Sequence, residues 1–233
     1  MAPFIQRRGV MFARATETGL WSMRVLAALA AVLLATAASA FPGTLQLERA
    51  GLANGEWWRL WTGHLVHGSA DHLVYDAGAA ALLFVALKCP LASACRLLWM
   101  APAISLALLA ALPDLDHYYG LSGLLHGWAV AGTFDLWRSK NGPGAHLAAV
   151  FGIGTVLKAA WETWSGAAPF SDGLDMGGPV IHAAHLVGAI VGVAAAVATH
   201  RVRFRPAALV HTSTMRALGI LVVLTLITLT IGS

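Results

Sequence analysis

The sequence predicts an all-α fold, a polytopic membrane helix bundle, and three observations predict it. Of 233 residues, 58% are hydrophobic and only 11% are charged, with a mean hydropathy of +0.70; soluble domains carry roughly 25% charged residues. Apolar runs recur along the chain, several near the ~20 residues a helix needs to cross the hydrocarbon core. Basic residues concentrate in alternate connections, as they do on the cytoplasmic side of membrane proteins. The runs are rich in Ala, Leu and Gly and lack internal turn signals, which favours helices over barrel strands.

A basic cytoplasmic tail is expected over residues 1–20. Spans are expected at Val25–Phe41, Leu73–Leu87, Leu97–Leu112, Leu121–Trp137, Ala145–Ala160, Pro179–Thr199 and Ala217–Ile231. The second, third, fifth and seventh are short, and Pro102 interrupts the third. Residues 21–200 thus hold a six-helix unit, and residues 201–233 add a basic loop and an extra C-terminal membrane helix. Arg24, the run Val25–Thr36 and Ala38-Ser39-Ala40 also fit a cleaved signal peptide. Either reading leaves the later topology unchanged.

Orientation follows from charge. Arg7, Arg8, Arg14, Arg24, Lys88, Arg96, Arg138, Lys140, Arg201, Arg203, Arg205 and Arg216 fall on one side, twelve of the fifteen Lys and Arg. The opposite loops hold Arg49 and Arg59, with Asp114, Asp116, Asp172 and Asp175, while Lys158 lies within span five. The N-terminus is therefore expected in the cytoplasm of what reads as a bacterial inner-membrane protein. The net charge of +4 reflects topology and not a nucleic-acid partner. Cys89 and Cys95 fall on the reducing side and are too few for a disulfide framework or a zinc site of their own.

The polar residues carry the chemistry. Gly120-Leu121-Ser122-Gly123 opens span four, and span six carries His185, both near the outer face. An ionisable group at membrane depth reads as functional by default. Ser122 stands at a helix N-terminus, where free amides and the helix dipole favour a developing anion. Gly123 with Gly127, and Gly188 with Gly192, form G-x-x-x-G pairs that let helix backbones approach closely. They bring span four against span six, with Ser122 and His185 at one level. His64, His67 and His72 lead into span two, where Asp76 shares a helix face with His72 at i, i+4. His117, His126 and His182 complete an outer histidine cluster. Interface histidines or a metal site are the alternatives. No H-E-x-x-H or Cys–His spacing supports a metal, so no metal and no cofactor are expected. Trp57, Trp58 and Trp61 place the first outer loop in the headgroup layer. The Gly-rich loop Ser165–Pro179 reads equally as a mobile cap or a plain connector.

The order W-W-R-L, H-L-V-Y-D, G-L-S-G and A-H-L-V-G-A-I-V-G, over about Gly55 to Thr199, resembles the rhomboid intramembrane serine proteases. The octamer Gly120–Gly127, G-L-S-G-L-L-H-G, resembles the rhombosortase subgroup more narrowly. The resemblance implies a six-helix catalytic domain with a serine–histidine dyad and no third acidic member. Ser122 matches the nucleophile, His185 the general base and His72 a histidine that helps bind the oxyanion, supported by the Gly120-Leu121 turn. Trp58-Arg59 matches the first-loop W-R. The implied partners are the lipid bilayer and transmembrane substrates, exported proteins with a Gly-rich C-terminal anchor of the GlyGly-CTERM type. Asp76 departs from the family pattern, which has Asn there. It is either a protonated donor or a carboxylate that orients and charges His72, and the i, i+4 spacing favours the second. His126 stands where many rhomboids carry Tyr; it stacks on, bonds to or competes with His185. A non-catalytic rhomboid-like binder of transmembrane clients, and a histidine-based metal or haem protein, are the competing classes.

Overall fold

The computed structural model describes residues 29–87, 91–139, 142–168, 171 and 173–201. The expected basic tail, the start of span one and the seventh span lie outside them. The described residues up to Ala196 form one compact unit, and those from Val197 belong to a second. The described elements are helices α1 (Leu29–Ser39), α2 (Pro42–Leu45), α3 (Arg49–Ala53), α4 (Arg59–Thr62), α5 (Ala70–Ala86), α6 (Leu91–Ala111), α7 (Ser122–Ser139), α8 (Pro143–Ser165) and α9 (His182–Arg201). Two short strands, β1 (Leu47–Glu48) and β2 (His117–Tyr118), pair antiparallel with Leu47 opposite Tyr118.

Two described helices, α8 and α9, are long and apolar enough to cross a membrane by length and composition. The others are shorter or interrupted by polar groups. Cys95–Ala111 of α6 is apolar as well, α5 has 17 residues, and α7 carries Asp135 and Arg138 near its end. Helix α8 corrects the expected end of span five at Ala160. It spans 23 residues, with Pro143 at its first turn and Gly166 beyond its end at φ 70°, the usual start and stop signals. The apolar count stops early because Lys158 and Glu162 break it. At i, i+4 these two pair with one another, Nζ to Oε1 at 2.8 Å, and the helix runs through them.

Pro102 does not interrupt α6, which continues from Leu91 to Ala111. A proline removes the bond to the carbonyl four residues back, here that of Leu98. The indole N–H of Trp61 takes that carbonyl at 2.6 Å. The first outer loop is therefore a packed element, and its Trp61 is more than an aromatic anchor. Both outer-loop arginines serve backbone carbonyls too. Arg49 donates through Nη2 to Leu109 and Leu112 at the end of α6, and through Nε to Leu115. Arg59, 4% exposed, donates to the Gln46 and Gly43 carbonyls at 2.8 Å and pairs with Glu56.

The centre of the unit is apolar. Leu47, Met100, Ile104 and Leu108 are wholly buried, and Tyr118 and Leu124 pack with them. The β1–β2 pairing and the Arg49 N–H bond to Asp116 tie the outer loop to the segment that leads into α7. Helices α7 and α9 meet through glycine. A methyl group on Gly188 would lie 1.9 Å from the Gly123 carbonyl oxygen, and one on Gly192 would lie 2.4 Å from that of Gly127. Any side chain larger than hydrogen holds these backbones apart, so the small-residue pairs are what permit the contact.

Candidate active site

The close α7–α9 contact sets Ser122 and His185 opposite each other. Ser122 begins α7 and His185 lies in the first turn of α9. Their side chains meet, Ser122 Oγ to His185 Nε2, at 3.0 Å. The Ser122 hydroxyl has a nitrogen acceptor within reach, which is the geometry of an activated nucleophile.

The histidine is not alone, contrary to the expectation that no acidic residue accompanies it. Glu162 of α8, 2% exposed, accepts from His185 Nδ1 at 2.9 Å. Lys158 Nζ holds both carboxylate oxygens, at 2.8 Å and 2.9 Å. Glu162 belongs to no motif. The usable signal was its isolation, a carboxylate in an otherwise apolar helix, paired one turn away with the one lysine there.

His126 stacks flat on His185, ring centroids 4.3 Å apart at 12°. Its Nδ1 donates to the Ser122 carbonyl at 2.8 Å, and Lys158 Nζ reaches its Nε2 at 3.3 Å. Facing a carbonyl, Nδ1 must hold the proton, and Nε2 then accepts from the ammonium. Both nitrogens of His126 are thus engaged. His182 stands edge-on to His185 at 6.3 Å.

A second group lies on the other side of Ser122. Asp76 of α5 is 1% exposed. Its Oδ2 accepts from the Leu121 backbone N–H at 2.8 Å and meets His72 Nε2 at 3.4 Å. The same oxygen meets His67 Nε2 at 3.2 Å, a partner that sequence spacing did not reveal. His67 Nδ1 faces the Leu65 carbonyl at 3.0 Å and so carries a proton. A second proton then lies between His67 Nε2 and Asp76. His72 Nδ1 is buried without a hydrogen-bond partner among the described residues.

Gly120 has φ +117°, a backbone conformation that favours glycine. A side chain there would also meet His72 Nε2 at 2.8 Å. The Leu121 amide is held by Asp76, so the turn before Ser122 is fixed by α5. Tyr118 closes it from below, its hydroxyl donating to the Gly120 carbonyl at 3.0 Å. Burial raises the Tyr118 pKa well above its ordinary value.

His64 lies apart from this cluster, between α4 and α6. Its Nε2 bonds to the Ala101 carbonyl and the Ser105 hydroxyl. Burial lowers its pKa to about 4, so it is a neutral packing residue near pH 7.

A cavity of about 250 Å³ opens onto His72, Tyr75, Ser122, His126, Glu162 and His185. Ser171, Met176, Gly178 and Pro179 of the Gly-rich loop border it. That loop is tied down at several points: Ser69 Oγ donates to the Asp175 carbonyl, Asp175 N–H to Asp71 at 3.3 Å, and Tyr119 to the Gly177 carbonyl at 2.9 Å. Two groups, His67–His72–Asp76 and His126–Glu162–His185, place three ligand-type atoms within 4.8 Å of one another. In the first, each histidine meets the Asp76 oxygen at hydrogen-bond range; in the second, a hydrogen bond and a ring stack link the three.

The model of the Rhomboid domain matches residues 54–202. Neither the curated proteins nor the solved structures give a significant match.

Proposed function

The chain belongs to the rhomboid family, and from that membership we propose that it is an intramembrane serine endopeptidase with Ser122 as nucleophile and His185 as general base. It is an integral membrane protein, and its site is read as facing the outer side of the bacterial inner membrane, with the N-terminus in the cytoplasm. The observation that carries the reading is the 3.0 Å contact between Ser122 Oγ and His185 Nε2, made across two helices whose glycines permit it.

The Ser122 proton passes to His185 Nε2 as Oγ bonds to the scissile carbonyl carbon. The oxyanion is met by the Ser122 backbone N–H at the helix start, with His72 beside it. The C–N bond then breaks, and His185 gives its proton to the departing amine. Water attacks the acyl carbon of the acyl-enzyme, its proton goes to His185, and the bond from that carbon to Oγ breaks as the proton returns to Ser122. Asp76 holds the turn carrying the nucleophile through Leu121 N–H and aligns His72. No step uses a metal.

The rhombosortase-like octamer Gly120–Gly127 supports a narrower substrate class: exported proteins with a C-terminal Gly-Gly motif, a hydrophobic helix and a basic end. Glycine unwinds readily at a helix end, and an extended segment is what a Ser122-centred cavity can cleave. The test is covalent labelling by a fluorophosphonate in detergent or vesicles. Wild type labels and Ser122→Ala does not, while retaining its thermal unfolding profile. Robust labelling of Ser122→Ala overturns the reading.

A further inference from the structure

We propose that Glu162 is a third, positioning member of the site, held in place by Lys158, so that the serine and histidine work with an acid behind them. The inference rests on the protease reading above and adds a residue to it.

The geometry is directional. Glu162 Oε2 lies 2.9 Å from His185 Nδ1, while His185 Nε2 lies 3.0 Å from Ser122 Oγ. A carboxylate only accepts, so Nδ1 carries the ring proton and Nε2 presents its lone pair to the hydroxyl. Without an acceptor at Nδ1, the neutral ring is free to take the other tautomer, in which Nε2 is protonated and useless as a base. When Ser122 gives up its proton, the imidazolium formed faces a carboxylate that stabilises it.

Lys158 explains how such a carboxylate is tolerated. A lone buried carboxylate in an apolar helix is expensive. Lys158, one turn away, contacts both Glu162 oxygens, which keeps the group ionised and fixes its rotation. The same ammonium reaches His126 Nε2, so His126 keeps its proton on Nδ1 and its ring flat against His185. One lysine thus orders both groups that flank His185. The charged and titratable groups facing that ring are Glu162 and Lys158 from α8, His126 from α7 and His182 from α9. Tyr75 and Asp76 stand across the cavity on α5.

A plain structural ion pair between Lys158 and Glu162 would predict that losing both together changes stability alone. The test therefore compares wild type with Lys158→Met plus Glu162→Gln and with Lys158→Met plus Glu162→Ala, so that no variant strands one charge of the buried pair. Each is labelled by fluorophosphonate from about pH 5 to 9, with Ser122→Ala as the blank and thermal unfolding as the fold check. In labelling, the Oγ–P bond forms as fluoride leaves and the serine proton passes to His185.

Relative to wild type, the Ala double variant labels at least about 100-fold more slowly at its plateau. The Gln double variant recovers part of that loss, because its amide oxygen still accepts from Nδ1. Both reach half-plateau at lower pH, because the negative charge favouring the protonated ring is gone. Equal plateau rates and an unchanged pH midpoint in wild type and both folded double variants overturn the role of Glu162 while leaving the nucleophile assignment intact. Wild-type protein that fails to label at Ser122 overturns both.

Discussion

At the scale of single residues, Asp76 gathers three partners on one oxygen. Its Oδ2 serves Leu121, His67 and His72 together, so its acceptor capacity holds the turn before Ser122. Asp76→Ala is expected to slow Ser122 labelling by about 100-fold or more, comparable to losing an oxyanion donor. Asp76→Asn is expected to fall between Ala and wild type and to change its profile over about pH 5–8, where histidines titrate. A wild-type-like Asn variant with an unchanged profile would favour direct donation by Asp76. His64 gives a second prediction. Its folded pKa of about 4 lies below the ordinary 6.5, so between these values the unfolded chain holds a proton that the folded one excludes. Stability therefore falls as pH drops from about 6.5 towards 4. His64→Gln keeps a donor to Ala101 and Ser105 without titrating, and is expected to flatten thermal stability across that window. Ser122, His72, Asp76 and His185 were legible because motif spacing marks them. His67 was seen only as one of a cluster, since its contact with Asp76 bridges a turn that no spacing encodes. Glu162 was missed because it was read as lying past the end of a span.

At the scale of elements, the α7–α9 contact is set by atoms that are not there. Gly188→Ala places a methyl 1.9 Å from the Gly123 carbonyl, and overpacking of this kind costs typically about 1–3 kcal/mol. It is expected to lower the thermal midpoint and slow labelling together, because Ser122 and His185 part. Gly154→Ala in α8, where nothing lies within 4 Å, is the control expected to leave both unchanged. Paired G-x-x-x-G sequences made this contact legible. The passage of α6 through Pro102 was not, because the compensating group, Trp61, sits 41 residues earlier. The end of α8 was misread at Ala160 because the next charge, Glu162, is paired with Lys158 and the helix runs through it.

At the scale of the whole molecule, the chain is a helical membrane protein whose charge distribution reads as orientation. The described Cys95 is an exposed free thiol on the side expected to be cytoplasmic. In a Cys89→Ala background, a membrane-impermeant maleimide should label Cys95 only after cells are permeabilised. Labelling in intact cells would reverse the topology. Arg49 and Arg59, the exceptions to the charge count, are both occupied with carbonyls of the outer loop and of α6. They are building material there, so they carry no weight as orientation signals.

The bond from Trp61 to the Leu98 carbonyl has a consequence for biogenesis. A carbonyl left unmet in hydrocarbon costs several kcal/mol, and α6 enters the membrane with one already vacated by its proline. The loop that supplies the missing donor precedes α6 in the chain and so emerges earlier in synthesis. Insertion of α6 therefore finds its template in place, and the chain's order of synthesis matches the order in which its hydrogen bonds can close. Weakening Trp61 would then surface first as slow or incomplete maturation at the translocon, before any defect in the finished protein.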